Sequence, residues 1–393
     1  MYVVNRRKRK RPPAPSDHDP SDHEKVKCKS MKIPQNPSLP TMRIATLCSG
    51  IEAVIQGFEN LAVPFEHVAS CEKDEKTRKV LERNFSPTHS FIDVMSLNLK
   101  SFPCHDILWA GFPCQPFSTT GNREGLADKT GRGILILPII NLVRSKMPKV
   151  VVLENVGGMA SSHKELFDAV LDLLRGICAN NLKYNVDWRT IDTKYFKVPQ
   201  SRPRIWIVCV RQDVHKHAIT WPTPSPEPCA NIDEILGRRP PLQSLLKPLP
   251  KVLGKTTIAN ITKGLSVVRS RGIDPLNETY IMDIDHSKSR EGSRMKGCAP
   301  CITKTRARQG GHWVSTHNRR LNMEEMLVLQ SMNPDRLVRP DDVTEAQFRS
   351  MIGNSMSVNV VEAIISMLSR AAPALFGDQP VADNWSHRDL NRV

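Results

Sequence analysis

The sequence predicts an α/β protein: a mostly parallel sheet covered on both faces, followed by a smaller loop-rich module. From residue 43 to 213, short apolar runs alternate with amphipathic helical stretches. After Arg211 the texture breaks into prolines, glycines and charges, with Pro222, Pro224, Pro226, Pro228 and Pro240-Pro241 marking loops. Helical patterns then return near the end of the chain.

The elements follow in order. Arg43–Cys48 reads as a strand, Ser49-Gly50 as a turn and Ile51–Leu61 as a helix. Phe65–Cys71 is a second strand, followed by a helix from Asp74 to Asn84, and a third strand is expected around Phe91. Ile107–Ala110, Val150–Leu153 and Ile205–Val210 are further strands, the last two rich in β-branched residues. Leu135–Lys146 and Leu166–Ile177 are helices, as are Asn322–Gln330, capped by Asn322, and Asn354–Ser369.

The chain has 393 residues, enough for a sizeable core and two domains. Its ten cysteines form no regular framework, which suits a reducing compartment. No apolar run is read as approaching a membrane span, and the basic, proline-rich N-terminus lacks the apolar stretch of a signal peptide. A soluble intracellular protein without a membrane partner is therefore expected. The net charge of +16 is uneven: residues 1–40 hold 10 Lys and Arg against 4 Asp and Glu, and residues 214–330 hold 18 against 10. That placement suggests a polyanionic partner, with a solvated basic surface as the alternative. Residues 1–40 have almost nothing to bury and are expected to be disordered. Their run Arg6–Arg11 suggests a nuclear localisation signal or a phosphate-binding arm.

Three short motifs carry the chemistry. Pro113-Cys114-Gln115-Pro116 offers a thiol nucleophile, Glu154-Asn155-Val156 a carboxyl group able to bond a ring nitrogen, and Gln200-Ser201-Arg202-Pro203-Arg204 guanidinium groups for a carbonyl oxygen or phosphates. The Ser49-Gly50 turn between a strand and a helix brings backbone close to a nucleotide-like ligand at the carboxyl end of the first strand. Glu72, ending the second strand, is placed to bond ribose hydroxyls, and Asp93 to accept from an adenine amino group.

This ordered set, with Gly131-Arg132-Gly133-Ile134-Leu135 ahead of Glu154 and Gly353-Asn354-Ser355 near the end, resembles the DNA cytosine-5 methyltransferases. The likeness spans roughly residues 43–213 and 320–370. It implies a class I S-adenosylmethionine-dependent methyltransferase sheet, Rossmann-like, over 41–213. A target-recognition domain would occupy 214–320, the chain would return to the sheet over 321–370 with the 354–369 helix near the first strand, and a tail would follow over 371–393. The implied catalytic residues are Cys114, Glu154, Arg202 and Arg204. Cys48, Ser49, Gly50, Ile51, Glu72, Lys73, Asp93, Val94, Pro113, Leu135, Asn354 and Ser355 would hold S-adenosylmethionine. Gln115, Ser118, Arg123, Gln200 and Arg306 would contact substrate, and no metal is implied.

In that chemistry the Cys114 thiolate adds to C6 of a flipped-out cytosine, making C5 nucleophilic. Glu154 bonds the exocyclic amine and N3, a role favouring a carboxyl pKa raised by burial. Arg204 binds the cytosine carbonyl and partners Glu154, while Arg202 steadies the phosphate backbone or the loop. The segment holding Ser118, Thr119, Asn122 and Arg123, hinged at Gly121 and Gly125, would close over DNA. Cys298-Ala299-Pro300-Cys301 has no second pair at ligand spacing and reads as two reduced thiols. Cys48 stands where the family carries an aromatic, and Glu52 and Ala53 replace two glycines. Double-stranded DNA is the expected partner. The rivals are a tRNA cytosine-5 methyltransferase, and a catalytically silent DNA-binding regulator of the same fold.

Overall fold

A computed structural model describes residues 41–112, 135–225, 231–245, 249, 253–287, 291–377 and 380–382. Eight strands form its main sheet: β1 (Met42–Leu47), β2 (Phe65–Cys71), β3 (His89–Phe91), β4 (Ile107–Ala110), β5 (Val150–Val156), β6 (Cys178–Ala179), β7 (Leu182–Asp192) and β8 (Pro203–Arg211). Their order is β3-β2-β1-β4-β5-β8-β7-β6. The first five run parallel, whereas β8 pairs antiparallel with β5 and β7, and β6 with β7. The sheet is thus mixed, where a mostly parallel one was expected. Its antiparallel half is built from hairpins, one of them turning at Asn180-Asn181, both at positive φ, the geometry a tight two-residue hairpin turn requires.

Helices α1 (Ala53–Asn60), α2 (Glu75–Asn84), α3 (Ile136–Lys146), α4 (Gly158–Ser162) and α5 (Lys164–Arg175) connect the strands. Period-two alternation sorts the strand side chains between two cores. On one face Ile44, Trp109, Val150, Val152, Trp206 and Val208 pack with Phe58 of α1. On the other, Ala45, Leu47, Leu108, Val151, Leu153 and Ile207 pack with Ile139 and Val143 of α3 and Phe167 and Leu171 of α5. Burial on both faces explains why Val150–Leu153 is apolar without a break.

Beyond β8 come α6 (Leu242–Leu245), α7 (Lys255–Arg269) and a second sheet of β9 (Tyr280–Met282), β10 (Arg294–Lys296), β11 (Trp313–Val314) and β12 (Arg319–Arg320), ordered β10-β9-β11-β12 and all antiparallel. It has its own small core, Ile261, Val268, Tyr280, Met282, Ile284 and Trp313. Within the stretch expected as a separate module, Ala299, Ile302 and Ala307 instead join the main core, because Ala299 N–H donates to the Pro199 carbonyl at 2.7 Å and Ser201 N–H to that of Ala299 at 2.9 Å. The α8 helix (Lys304–Arg308) follows directly.

Next come α9 (Met323–Val328), with Asn322 capping it as expected, α10 (Glu345–Asn354), α11 (Val358–Ala371) and α12 (Pro373–Phe376). The anticipated 354–369 helix is α11, starting four residues later because α10 ends at Asn354. It packs on α1, the helix that follows the first strand: a Cβ on Gly57 would lie 2.8 Å from Cγ1 of Val361. Leu375 of α12 is also buried in the main core, so the expected C-terminal tail begins inside the fold. The stretch Glu345–Ala371 is long and apolar enough by composition to cross a membrane, which corrects the reading that no run approaches that length. Its apolar window is 94% buried inside the protein, as a core helix is.

Candidate active site

The sheet reverses direction of growth between β1 and β4, and the loops at the carboxyl ends of the parallel strands there carry the site. After β1 the chain turns through Cys48, Gly50 and Glu52, all left-handed, with φ of 51°, 59° and 55°. Gly50 donates its N–H to Oε2 of Glu72 at 3.0 Å, while Oε1 of Glu72 accepts from Asp74 N–H at 3.0 Å. Burial raises the Glu72 pKa against these two backbone bonds. Ser49 Oγ meets Ser70 Oγ at 3.1 Å, and the Ile51 side chain is in the core, leaving only its backbone for a ligand.

Glu52, in place of a family glycine, spends its left-handed strain, about 1–2 kcal/mol, on a buried polar anchor. Its Oε1 accepts from Thr46 Oγ1 at 2.9 Å and Ser70 Oγ at 2.8 Å, tying the turn to β1 and β2. His67 Nε2 stands 3.8 Å away, its pKa lowered by burial although Glu52 pulls it up.

Asp93 caps the turn over Val94–Ser96 through Met95 N–H at 3.0 Å and pairs with Lys73 at 2.7 Å, which holds its carboxyl below the usual range. Val94 is buried and Leu135 packs against the same core. Asn354 lines a cleft of about 240 Å³ together with Gly50, Glu72, Lys304 and Arg308. Ser355 is buried and bonds the Ile352 carbonyl at 2.8 Å, so its side chain serves the bend between α10 and α11.

Across β4 lies the acid. A Cβ on Gly111 would sit 3.7 Å from both the Cys48 carbonyl oxygen and Oε2 of Glu154, which brings the turn and the carboxyl together. Glu154 Oε1 accepts from Arg204 Nε at 3.1 Å, with 12% and 14% of the two side chains exposed. Burial raises the Glu154 pKa, and Arg204 and Arg202 oppose that rise. Asn155 is buried and reaches the Phe112 carbonyl at 3.5 Å, fixing the backbone just ahead of Pro113. Nothing in the sequence separated this role from that of its neighbours.

Two expectations are corrected. Gln200 does not face substrate: it is fully buried, donating to the Leu329 carbonyl at 2.6 Å and accepting from Ile302 N–H at 2.9 Å. Gln200→Ala is expected to lower unfolding free energy by about 2–3 kcal/mol, because it orphans buried partners, and to leave the salt dependence of DNA binding unchanged; denaturant titration and binding isotherms check this. Arg202 is 3% exposed and cannot steady phosphates. It donates to the carbonyls of Ile302 at 2.9 Å and Ser355 at 2.6 Å and to Cys301 Sγ at 3.3 Å, knitting three distant segments. Arg306 is half-buried and paired with Asp283 at 2.8 Å, so a DNA contact competes with that pair. Pro113, Cys114, Gln115, Ser118, Thr119, Gly121, Asn122, Arg123 and Gly125 lie outside the described residues.

A mixed sheet with this strand order and a polar turn after β1 define a class I methyltransferase. The turn suits S-adenosylmethionine, since a Cβ on Gly50 would meet nothing within 4 Å and the adjoining cleft is lined by the Glu72 carboxyl and Asn354. Solved structures share the fold: the Schizosaccharomyces pombe Dnmt2 methyltransferase (TM-score 0.56, 17% identity, 84% of this chain and 99% of that one) and the Entamoeba histolytica methyltransferase EhMeth (0.55, 16%, 84% and 98%). Curated relatives include Type II methyltransferase M.NgoBI of Neisseria gonorrhoeae, 31% identical over 332 residues (84% of this chain, 93% of the relative), and M.HhaI of Haemophilus parahaemolyticus, 27% over 339 (83% and 94%). The model of the C-5 cytosine-specific DNA methylases matches residues 42–370. The chain belongs to that family and is an S-adenosylmethionine-dependent enzyme.

Proposed function

We propose that this enzyme methylates C5 of cytosine in double-stranded DNA by way of a transient bond between Cys114 and C6. The observation that carries the reading is the Glu154–Arg204 pair, 3.1 Å apart and largely shielded from water, facing the cofactor turn across Gly111. When bound, S-adenosylmethionine supplies an electrophilic methyl group. Gly50, Glu72, Asp93 and Asn354 would hold it. Cys114 adds as thiolate to C6, and the displaced ring electrons run to N3, which takes the proton of the Glu154 carboxyl. The resulting enamine is nucleophilic at C5. Once C5 has gained the methyl group, loss of the C5 proton to water expels Cys114, N3 returns its proton to Glu154, and the aromatic ring is restored. Arg204 orients Glu154 and the cytosine carbonyl.

The basic 214–320 segment supports a duplex rather than an RNA partner, since Lys and Arg there can mix phosphate contacts with base readout. The decisive experiment supplies 5-fluorocytosine in duplex DNA with cofactor, because fluorine blocks the final elimination and traps the adduct. Mass spectrometry is expected to find the base on Cys114. Absence of that adduct overturns the mechanism, and labelling of tRNA but not duplex DNA overturns the substrate.

The Arg6–Arg11 run supports nuclear delivery together with nonspecific phosphate contact. Neutralising it is expected to alter nuclear accumulation or salt-sensitive affinity more than turnover on short duplexes; an equal loss of turnover would remove the tail's role.

A further inference from the structure

We propose that Cys301 is a positioning residue for the base-contacting pair: its sulfur holds the Arg204 guanidinium in register with Glu154. The proposal rests on the reading of Glu154 and Arg204 given above and assigns the residue that orients them.

Three nitrogens of Arg204 point at three different acceptors. Nε faces Glu154 at 3.1 Å, Nη1 donates to the Pro203 carbonyl at 2.8 Å, and Nη2 donates to Cys301 Sγ at 3.6 Å. A guanidinium is a planar fork, so fixing all three edges fixes its rotation. Without the sulfur, the Nη2 edge loses this anchor and the plane can turn away from the carboxyl group.

The sulfur is itself held from two sides. Ala299 N–H bonds the Pro199 carbonyl at 2.7 Å, and Ile302 N–H bonds Gln200 Oε1 at 2.9 Å, so the residues flanking Cys301 are pinned to the strand approach carrying Arg202 and Arg204. Arg202 Nη1 reaches the same sulfur at 3.3 Å. Two cations, Arg202 and Arg204, therefore meet at one sulfur, and Arg204 also meets the Glu154 carboxyl. Two guanidinium donors converging there favour a hydrogen-bond acceptor at residue 301. Burial works to raise the thiol's pKa, but Arg204 and Arg202 outweigh it and bring the group below its ordinary 9.0. The nearby His312 ring bonds the Cys301 carbonyl, at 3.3 Å, and burial lowers its pKa, which disfavours a competing charge beside the sulfur.

The test uses the full-length enzyme with Cys301→Ala, Cys301→Ser and, in parallel, Glu154→Gln. Cys301→Ala is expected to lower kcat about tenfold through misorientation of one catalytic partner, with KM for S-adenosylmethionine unchanged. Because Arg204 counteracts the burial-driven rise in the Glu154 pKa, loosening it is expected to move the alkaline limb of the kcat profile to higher pH; among the described residues, Arg204 and Arg202 are the charged groups acting on Glu154, and Cys301 reaches it through them. Cys301→Ser keeps an acceptor and is expected to recover most of the lost rate, and it also serves as the test if the alanine variant does not fold. Unchanged kcat and an unmoved limb in Cys301→Ala overturn the proposal, as does a serine variant no better than alanine. Full activity in Glu154→Gln would instead sink the reading of the pair itself. Loss of activity in Glu154→Gln beside a normal Cys301→Ala would refute the positioning role alone.

Discussion

Cys114→Ala is expected to abolish methyl transfer while leaving S-adenosylmethionine affinity within about twofold of wild type. Cytosine C5 is a poor nucleophile until a group adds at C6, and no other side chain at the site has been assigned that addition. Cofactor affinity should persist because the turn after β1 is built without residue 114: Glu52 anchors it to Thr46 and Ser70, and Glu72 receives Gly50 N–H at 3.0 Å. Incorporation of labelled methyl groups and calorimetry with the cofactor check the two halves separately. Undiminished turnover would remove the covalent route, and lost cofactor binding would show that residue 114 also shapes the cofactor site.

Glu154→Gln should reduce kcat by about 10²–10³ with little change in cofactor KM. Glutamine keeps the size of the side chain and can still donate from nitrogen, yet it cannot pass a proton to N3. The pH dependence has a definite sign. Burial lifts the Glu154 pKa above its ordinary 4.5, so the protonated acid persists to higher pH than an exposed glutamate would, and activity falls as pH rises through the raised value. The linked effect on the fold runs the same way. The native state holds this proton more tightly than the unfolded chain, so Glu154 costs stability as pH climbs from about 4.5 through its raised pKa, a slope that glutamine removes. Rate profiles and denaturation midpoints across that window check both; a wild-type alkaline limb retained in the glutamine variant would assign it to another group.

Much of the parallel half of the sheet was legible because its strands are buried on both faces. Phe65–Cys71 and Ile107–Ala110 have the predicted bounds, and Val150–Leu153 was only short of its true end, as was Ile205–Val210, the one antiparallel strand whose burial made it equally readable. The rest of the antiparallel half, β6 and β7, was not. β7 lies toward the sheet edge, alternates polar residues with Tyr184, Val186 and Trp188, and leaves Trp188 partly exposed, so it presents no apolar run. The signal that could have found it is Asn180-Asn181, a pair suited to consecutive left-handed residues. The α7 helix was hidden by its Thr, Val and Gly264 content, which lowers helix propensity and is overridden by packing on the small sheet. At the site, the Glu154–Arg204 partnership was implied by the family resemblance, and the two meet at 3.1 Å. Gln200 and Arg202 were misplaced for one physical reason. A polar residue in a functional motif looks the same in sequence whether it meets solvent or, as these two do, satisfies backbone groups in the interior.

Arg202 ties chain made early to chain made late. Its guanidinium waits for acceptors at Ile302 and Ser355, 100 and 153 residues downstream, and α1, among the earliest helices made, is covered by α11. A nascent chain therefore carries its acid and cofactor turn long before the segment that ties them to the rest of the fold is made. Catalytic power arrives late, with the closing segment, and contacts this distant along the chain make folding slow compared with a locally connected protein of similar size.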